Sequence, residues 1–127
     1  MATTSAAIAT GIDAVYYMSK DFDRICSFYE KVLGLQPAWK DKSDGGEWAE
    51  YELADGSTFG LGHMGAQPFT PGGGVMFAVP DVKEALQRAK DAGATVVFDY
   101  METPACHMAW FLDTEGNSFC LHKRKSA

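Results

Sequence analysis

Two patterns of hydrophobic positions follow each other along the chain, and then recur. Segments rich in β-branched and aromatic residues, "IDAVYYMS" and "GGVMFAVP", indicate strands, and each precedes a segment with apolar residues at helical spacing. Asp21 and Asp81 are suited to cap these helices, which Gly34 and Gly93 would end. The pattern then predicts three strands after each helix, at 38–41, 47–53 and 57–63, and at 95–99, 106–112 and 117–122.

A constant offset of sixty residues relates the two halves of the chain. It aligns Val15 with Val75 and Leu61 with Leu121, and only the helix ends slip by a residue. A register kept over the whole unit predicts a duplicated module with the order β-α-β-β-β. The expected organisation is one compact domain made of a flexible lead-in (1–10), a first module (11–64), a Gly/Pro linker (65–73) and a second module (74–125).

Because side chains alternate along a strand, each predicted sheet has two faces. One face is consistently apolar and should pack under the helices. The other mixes large aromatic and Met side chains with small and ionisable residues, which is typical of a small-molecule pocket. We therefore predict an α+β fold whose mixed sheet curls around a cup-shaped pocket. Its predicted ligand-binding residues are Tyr16, Met18, Trp48, Glu50, Met76, Met108, Trp110, Ser118, Cys120 and His122.

Charge and cysteine usage narrow the class of protein. The net charge of -6 argues against nucleic acid or an anionic membrane as partner, because both need clustered cations. No apolar run is long enough for a membrane span, and residues 1–10 lack the features of a signal peptide. Cys26, Cys106 and Cys120 show no ligand-type spacing, so we expect free thiols and a cytoplasmic location.

Two motifs in this frame resemble the vicinal oxygen chelate superfamily, which includes glyoxalase I, extradiol dioxygenases and bleomycin resistance proteins. The segment "DFDRICSFYEKVLGL" is similar to the first helix of that superfamily, and "FLDTEGNSFCLH" is similar to its closing hairpin. The resemblance runs from Ile12 to Lys123. It implies two tandem βαβββ modules.

The resemblance also implies where a metal would be held, since metal-binding members place ligands on the first and last strands of each module. The corresponding positions here are Ala14, Gly60, Gly74 and Cys120. Three of them have no side-chain donor, whereas a divalent site typically needs about three protein ligands. We therefore expect no cofactor, although a divalent metal held by other residues remains an alternative.

The leading functional hypothesis is a metal-independent small-molecule binding protein of the bleomycin resistance type. Glu50 and His122 are the candidates for a catalytic or ligand-contacting acid or base. A mid-strand acid among Trp and Met side chains would be a base or a partner for a cationic ligand if buried, and merely solvated if not. His122 has the simpler interpretation of a half-exposed strand end. Trp48 and Trp110 either stack on the ligand or only fill the cup or a dimer interface.

The alternative is an enzyme: a lyase, isomerase or dioxygenase of the superfamily whose ligands are drawn from Glu50, His63, His107 and His122. His107, with Cys106 beside it and Glu102 near, is a further metal possibility. A cofactor-free oxygenase of another duplicated fold is the third. The resemblance also implies a homodimer, in which modules of two chains complete each cup.

Overall fold

A computed structural model of the chain describes residues 12–43, 45–65 and 69–125. The predicted lead-in at 1–10 and residues 66–68 of the predicted linker lie outside these ranges. The observed elements are β1 (Val15–Met18), α1 (Phe22–Leu33), β2 (Pro37–Ser43), β3 (Gly46–Glu52), β4 (Thr58–His63), β5 (Gly73–Ala78), α2 (Val82–Asp91), β6 (Thr95–Glu102), β7 (Cys106–Leu112) and β8 (Ser118–Arg124).

The predicted fold class of two tandem βαβββ modules is confirmed. The strands form two open, four-stranded mixed sheets with the orders β1-β4-β3-β2 and β5-β8-β7-β6. In each sheet the first strand is parallel to the last, and the remaining pairs are antiparallel. The register repeats at the predicted offset, because Val15 pairs with Phe59 and Val75 pairs with Phe119.

Both helices begin where the sequence predicts. The Asp21 carboxylate accepts a hydrogen bond from the Arg24 backbone N–H, and that of Asp81 accepts one from Glu84. Gly34 ends α1 with a φ of 68°, a left-handed conformation that glycine adopts without strain. In α2 the capping residue is Ala92, one position before the predicted stop at Gly93. No helix in the described residues is long and apolar enough to cross a membrane.

One hydrophobic core unites the two modules, because the helix-facing sides of both sheets pack into it. Phe59 of the first module contacts Phe77 of the second at 5.1 Å between ring centroids, and Tyr29 of α1 lies 5.6 Å from Phe119. The alternation predicted from the sequence is observed. The fully buried helix-facing residues of the two hairpins are Ala49, Tyr51, Leu61, Ala109, Phe111, Phe119 and Leu121.

A buried polar cluster fastens the modules together at the turn between β7 and β8, residues 113–117, which we term the clasp. The Glu115 side chain is fully buried and accepts hydrogen bonds from the backbone N–H groups of Lys20 and Asp21 and from Arg24 Nε. Asn117 Nδ2 donates to the Met18 carbonyl at 3.2 Å. The clasp therefore fixes the second module to the segment between β1 and α1.

Asp113 completes the clasp from inside. Its carboxylate accepts hydrogen bonds from Tyr29 Oη at 2.9 Å, from Asn117 Nδ2, and from the backbone N–H groups of Glu115 and Asn117. Burial, and then the nearby Asp113 carboxylate, raise the pKa of Tyr29 well above the ordinary tyrosine value, so its hydroxyl stays a donor. Sequence analysis missed these buried acids.

Candidate functional site

A cleft of about 570 Å³ opens on the side of the first sheet opposite the helices. This volume falls within the range that small-molecule sites usually have. Its walls carry aromatic and sulfur-containing side chains together with two hydroxyl groups, and none of the residues described in them is charged. The lining residues are Tyr16, Met18, Ser19, Trp48, Met64, Phe69 and Thr70.

Trp48 forms the floor of this cleft because two glycines make room for it. A Cβ atom on Gly60 would lie 2.8 Å from Trp48 Cζ2, and one on Gly62 would lie 2.6 Å from Trp48 Cε3. Any larger side chain at either position would push the indole away. The Tyr16 ring stands against the indole at 5.2 Å and 63°. Trp48 and Tyr16 thus present a broad aromatic surface to the cleft.

Glu50 holds the indole in place and does not line the cleft. Its carboxylate oxygen Oε2 accepts a hydrogen bond of 2.9 Å from Trp48 Nε1, and the two residues share one face of β3. Its cross-strand neighbours are Trp39 and Gly60. The predicted catalytic acid is therefore half-buried, and its contact is with the aromatic floor.

A second cleft of about 600 Å³ adjoins the first and shares Tyr16, Met18 and Thr70 with it. It follows the junction between β1 and the glycine-rich start of β5. Met76, which is 48% exposed, contributes to its wall. Tyr17 closes the junction from the core side, because its hydroxyl donates to the Ser118 carbonyl at 2.6 Å and accepts from the Val75 N–H at 3.0 Å.

The other predicted ligand-binding residues lie on the matching face of the second sheet. Trp110 pairs with Cys120 and Met108 pairs with His122, all on β7 and β8. Ser118, Met108, Trp110 and His122 are half-buried and line neither cleft described above. The register also shows that the counterpart of Trp48 is Met108, so the two tryptophans are not equivalent.

The Cys120 side chain is completely buried. Burial raises the pKa of the Cys120 thiol to about 11, so the group is protonated at neutral pH. A protonated, inaccessible thiol is neither a nucleophile nor a good metal ligand. Its burial argues against direct contact with a ligand.

The four positions at which the resemblance implies metal ligands do not form a set of donors suited to an ion. Ala14 precedes β1, and both Ala14 and Gly74 are exposed. At Gly60, the space that a side chain would occupy is filled by the Trp48 indole. Cys120 supplies the single donor, and it is protonated. In the described parts of the chain, no three His, Cys, Asp or Glu side chains are grouped so that they could hold an ion.

The histidines are engaged separately. His63 Nδ1 lies 2.8 Å from the Ser19 carbonyl, and His107 Nδ1 lies 2.6 Å from the Tyr100 hydroxyl. Both residues lie on the helix-facing side of their strands. His122 lies on the opposite face, next to Met108. The structure does not bring these residues together with Glu50.

Comparison with known proteins agrees with this fold. The model of a family described as a glyoxalase-like domain matches residues 13–122. The chain belongs to that family. No curated protein sequence matches the chain significantly.

Solved structures of other proteins share this fold at low sequence identity. TnmS3, an antibiotic binding protein from Streptomyces sp. CB03234, is 20% identical with a TM-score of 0.77, over 94% of this chain and all of that one. A glyoxylase/bleomycin resistance protein/dioxygenase domain from Frankia sp. EAN1pec is 14% identical with a TM-score of 0.73, over 94% and 95%. A glyoxalase I mutant from Zea mays is 18% identical with a TM-score of 0.75, over 88% of this chain and 44% of that one. These likenesses establish the shared fold.

Proposed function

We propose that this glyoxalase-like domain binds a small aromatic molecule without a metal ion and acts by sequestering it. The observation that carries the proposal is the Trp48 indole lying across Gly60 and Gly62, where the superfamily would hold a metal ligand. An aromatic floor in that place offers stacking instead of coordination. The antibiotic-binding neighbour TnmS3 is consistent with a binding role.

The lining of the cleft favours a flat, uncharged ligand. Ser19 and Thr70 can each form a hydrogen bond, but no charged side chain described in the walls could pair with an ionised ligand. The Glu50 carboxylate, on the same face of β3 as the indole, accepts a hydrogen bond from Trp48 Nε1 at 2.9 Å. We therefore assign Glu50 the role of positioning the indole, in place of the acid or base role expected from the sequence.

Calorimetric titration in a chelating buffer tests this function. The probes are acridone, a neutral tricyclic aromatic, and 9-aminoacridine, a cation of similar shape. We expect acridone to bind and 9-aminoacridine to bind more weakly. Removal of the floor by Trp48→Ala should weaken acridone by about tenfold or more, since one stacking contact contributes roughly 1–1.5 kcal/mol beyond the buried area.

Two variants control for folding and for a general loss of tryptophan. Trp48→Phe keeps an aromatic ring and should retain part of the affinity, and Trp39→Ala removes an exposed indole on β2 and should change little. Elemental analysis of protein purified without chelator supplies the complementary test. Stoichiometric Zn, Ni, Mn or Fe, or acridone binding only after metal is added, would refute the proposal in favour of an enzyme of the superfamily.

We further propose that the chain is a cytoplasmic homodimer with a composite cup. Tyr16 and Met76, which are 56% and 48% exposed, border the two clefts and would be covered by a second copy. Light scattering of the purified chain should give twice the mass of 13.8 kDa. A monomer that still binds acridone would show that one chain completes the cleft.

A further inference from the structure

The second module carries a separate pocket on the helix-bearing side of its sheet. The pocket has a volume of about 190 Å³ and lies where α2 begins, above the ends of β6, β7 and β8. By strand parity His107 and Lys123 belong to the helix-facing side, whereas the aromatic cleft is on the opposite side of the first sheet. The lining residues are Pro80, Asp81, Val82, Lys83, Tyr100, His107 and Lys123.

Cationic and hydrogen-bonding groups converge in this pocket. Lys83 Nζ lies 4.9 Å from the centroid of the Tyr100 ring, and the Tyr100 hydroxyl lies 2.6 Å from His107 Nδ1. His107 and Lys123 are directly paired across β7 and β8. Because Nδ1 is engaged by Tyr100, Nε2 is the ring nitrogen of His107 left for an incoming group.

The first module shows how the same place is occupied there. Lys42 Nζ lies between two carboxylates, 2.7 Å from Asp23 and 3.6 Å from Glu47. The positions sixty residues later are Lys83, which replaces Asp23, and His107, which replaces Glu47. Two carboxylates of the first module are therefore replaced by an ammonium group and an imidazole in the second.

Glu102 is the counterpart of Lys42, but it forms no ion pair with Lys83. Its carboxylate is bound to Lys125 Nζ at 2.6 Å instead. Within the described residues neither Lys83 nor Lys123 forms an ion pair. Asp81, the acid among the described lining residues, caps α2 by accepting a hydrogen bond from the Glu84 N–H. In the first module the Lys42 ammonium group fills the space between Asp23 and Glu47. The corresponding space between Lys83 and His107 is therefore open to an anion.

We propose that this pocket binds a phosphate group, either as the free anion or on a small ester, between Lys83, His107 and Lys123. Lysine ammonium groups and an imidazole N–H form charge-assisted hydrogen bonds to phosphate oxygens. The volume of about 190 Å³ is several times the roughly 30 Å³ share of one water, so a phosphate-sized group fits. This site is independent of the aromatic cleft.

Two-dimensional amide NMR with inorganic phosphate, at constant ionic strength set by sodium chloride, tests the site. We expect saturable shifts at Lys83, His107 and Lys123, and none at the counterpart residues Asp23 and Glu47. The double variant K83A/K123A should weaken binding by about tenfold or more, because both ammonium groups that the anion would contact are lost. Both lysines are exposed, so the fold should be retained.

Matched variants separate a specific site from general attraction. K40A/K90A removes the same charge from lysines paired with Glu30 and Asp99, and should leave phosphate binding unchanged. Glu102→Gln removes the carboxylate of the residue that pairs with His107 across β6 and β7, and should tighten binding several-fold. Glycerol 3-phosphate binding more tightly than phosphate would identify an ester, and the reverse would identify the free anion. Shifts that do not saturate, or that are equal in wild type and K83A/K123A, would overturn the proposal.

Discussion

The two modules share one backbone pattern, but their open sheet faces and their closing turns have different roles. The first module uses its open sheet face to hold the Trp48 indole over two glycines, and its closing turn is exposed. The second module places Cys120 and His122 at the positions of those glycines, and its closing turn is the buried clasp. The first module thus forms the aromatic cleft, and the second module holds the two modules together.

The closing turns make the divergence concrete. Asp55 and Glu115 occupy equivalent positions, but the Asp55 carboxylate accepts from the N–H and hydroxyl of Ser57 within its own exposed turn. The Glu115 carboxylate instead satisfies two backbone N–H groups and the Arg24 guanidinium of the other module. The same hairpin geometry therefore serves as a simple turn in one copy and as an interface in the other.

The largest expected effect comes from removing the Glu115 carboxylate from the clasp. Glu115→Ala leaves the Lys20 and Asp21 N–H groups and the Arg24 guanidinium without their acceptor, and should lower the free energy of unfolding by about 2–4 kcal/mol. The matched Asp55→Ala should cost about 0.5 kcal/mol or less, as exposed substitutions usually do. Urea unfolding measures both.

Glu115→Gln distinguishes the hydrogen bonds from the charge. It can still accept from the two backbone N–H groups, so we expect an intermediate loss of stability. Equal losses for Glu115→Ala and Asp55→Ala would show that the clasp does not join the modules.

A second prediction concerns the glycines beneath Trp48. Replacing one of them gives the first module a side chain where the second module already has one. Gly62→Ala would place a Cβ 2.6 Å from Trp48 Cε3 and force the indole to move. Overpacking of this kind typically costs about 1–3 kcal/mol, and acridone affinity should fall with it. Thermal unfolding and calorimetric titration measure the two effects. Gly56→Ala serves as a control because space is open around it, although its φ of 88° adds strain of its own.

The last effect, which is confined to alkaline pH, concerns the buried thiol of the second module. Below the ordinary thiol pKa of about 8.5, Cys120 is neutral in both folded and unfolded chains, and its contribution to stability is fully present. As the pH rises towards the folded pKa of about 11, the unfolded thiol ionises first, so the free energy of unfolding falls. Burial raises the pKa of Tyr17 and Tyr29 as well, which acts in the same direction.

Cys120→Ala isolates the part due to this thiol. Its stability should decline less steeply than that of the wild type between pH 8.5 and 11, as followed by urea unfolding at each pH. An identical slope in both proteins would assign the alkaline loss to other buried groups whose pKa is raised, among them Tyr17, Tyr29 and Cys26.

Strand parity and duplication predicted most of the fold from the sequence. The offset of sixty reappears in the pairing of Tyr17 with Leu61 and of Phe77 with Leu121, because helical and strand periodicities depend on local burial. The resemblance implied metal ligands at four positions, three of which carry no side-chain donor. Ala14, however, lies before β1 and not in it, since the first strand is shorter than predicted.

The candidate site was only partly predictable, because it depends on contacts between distant elements. Trp48 was identified, but its position over the glycines and its bond to Glu50 follow from cross-strand packing. The clasp was missed because acids in a turn are ordinarily solvated. A signal was present in the repeat: Glu115 replaces Asp55, and Asp113 replaces the apolar Leu53.

The most direct test of the account follows all three tryptophans at once in a chain labelled with 5-fluorotryptophan. Fluorine NMR during an acridone titration, in a chelating buffer, reports separately on Trp39, Trp48 and Trp110 after assignment by single Phe variants. We predict a saturable shift of the Trp48 resonance, with Trp39 and Trp110 nearly unchanged. A shift confined to Trp110, or one that requires an added divalent metal, would contradict the assignment of a metal-independent binding site to the first module.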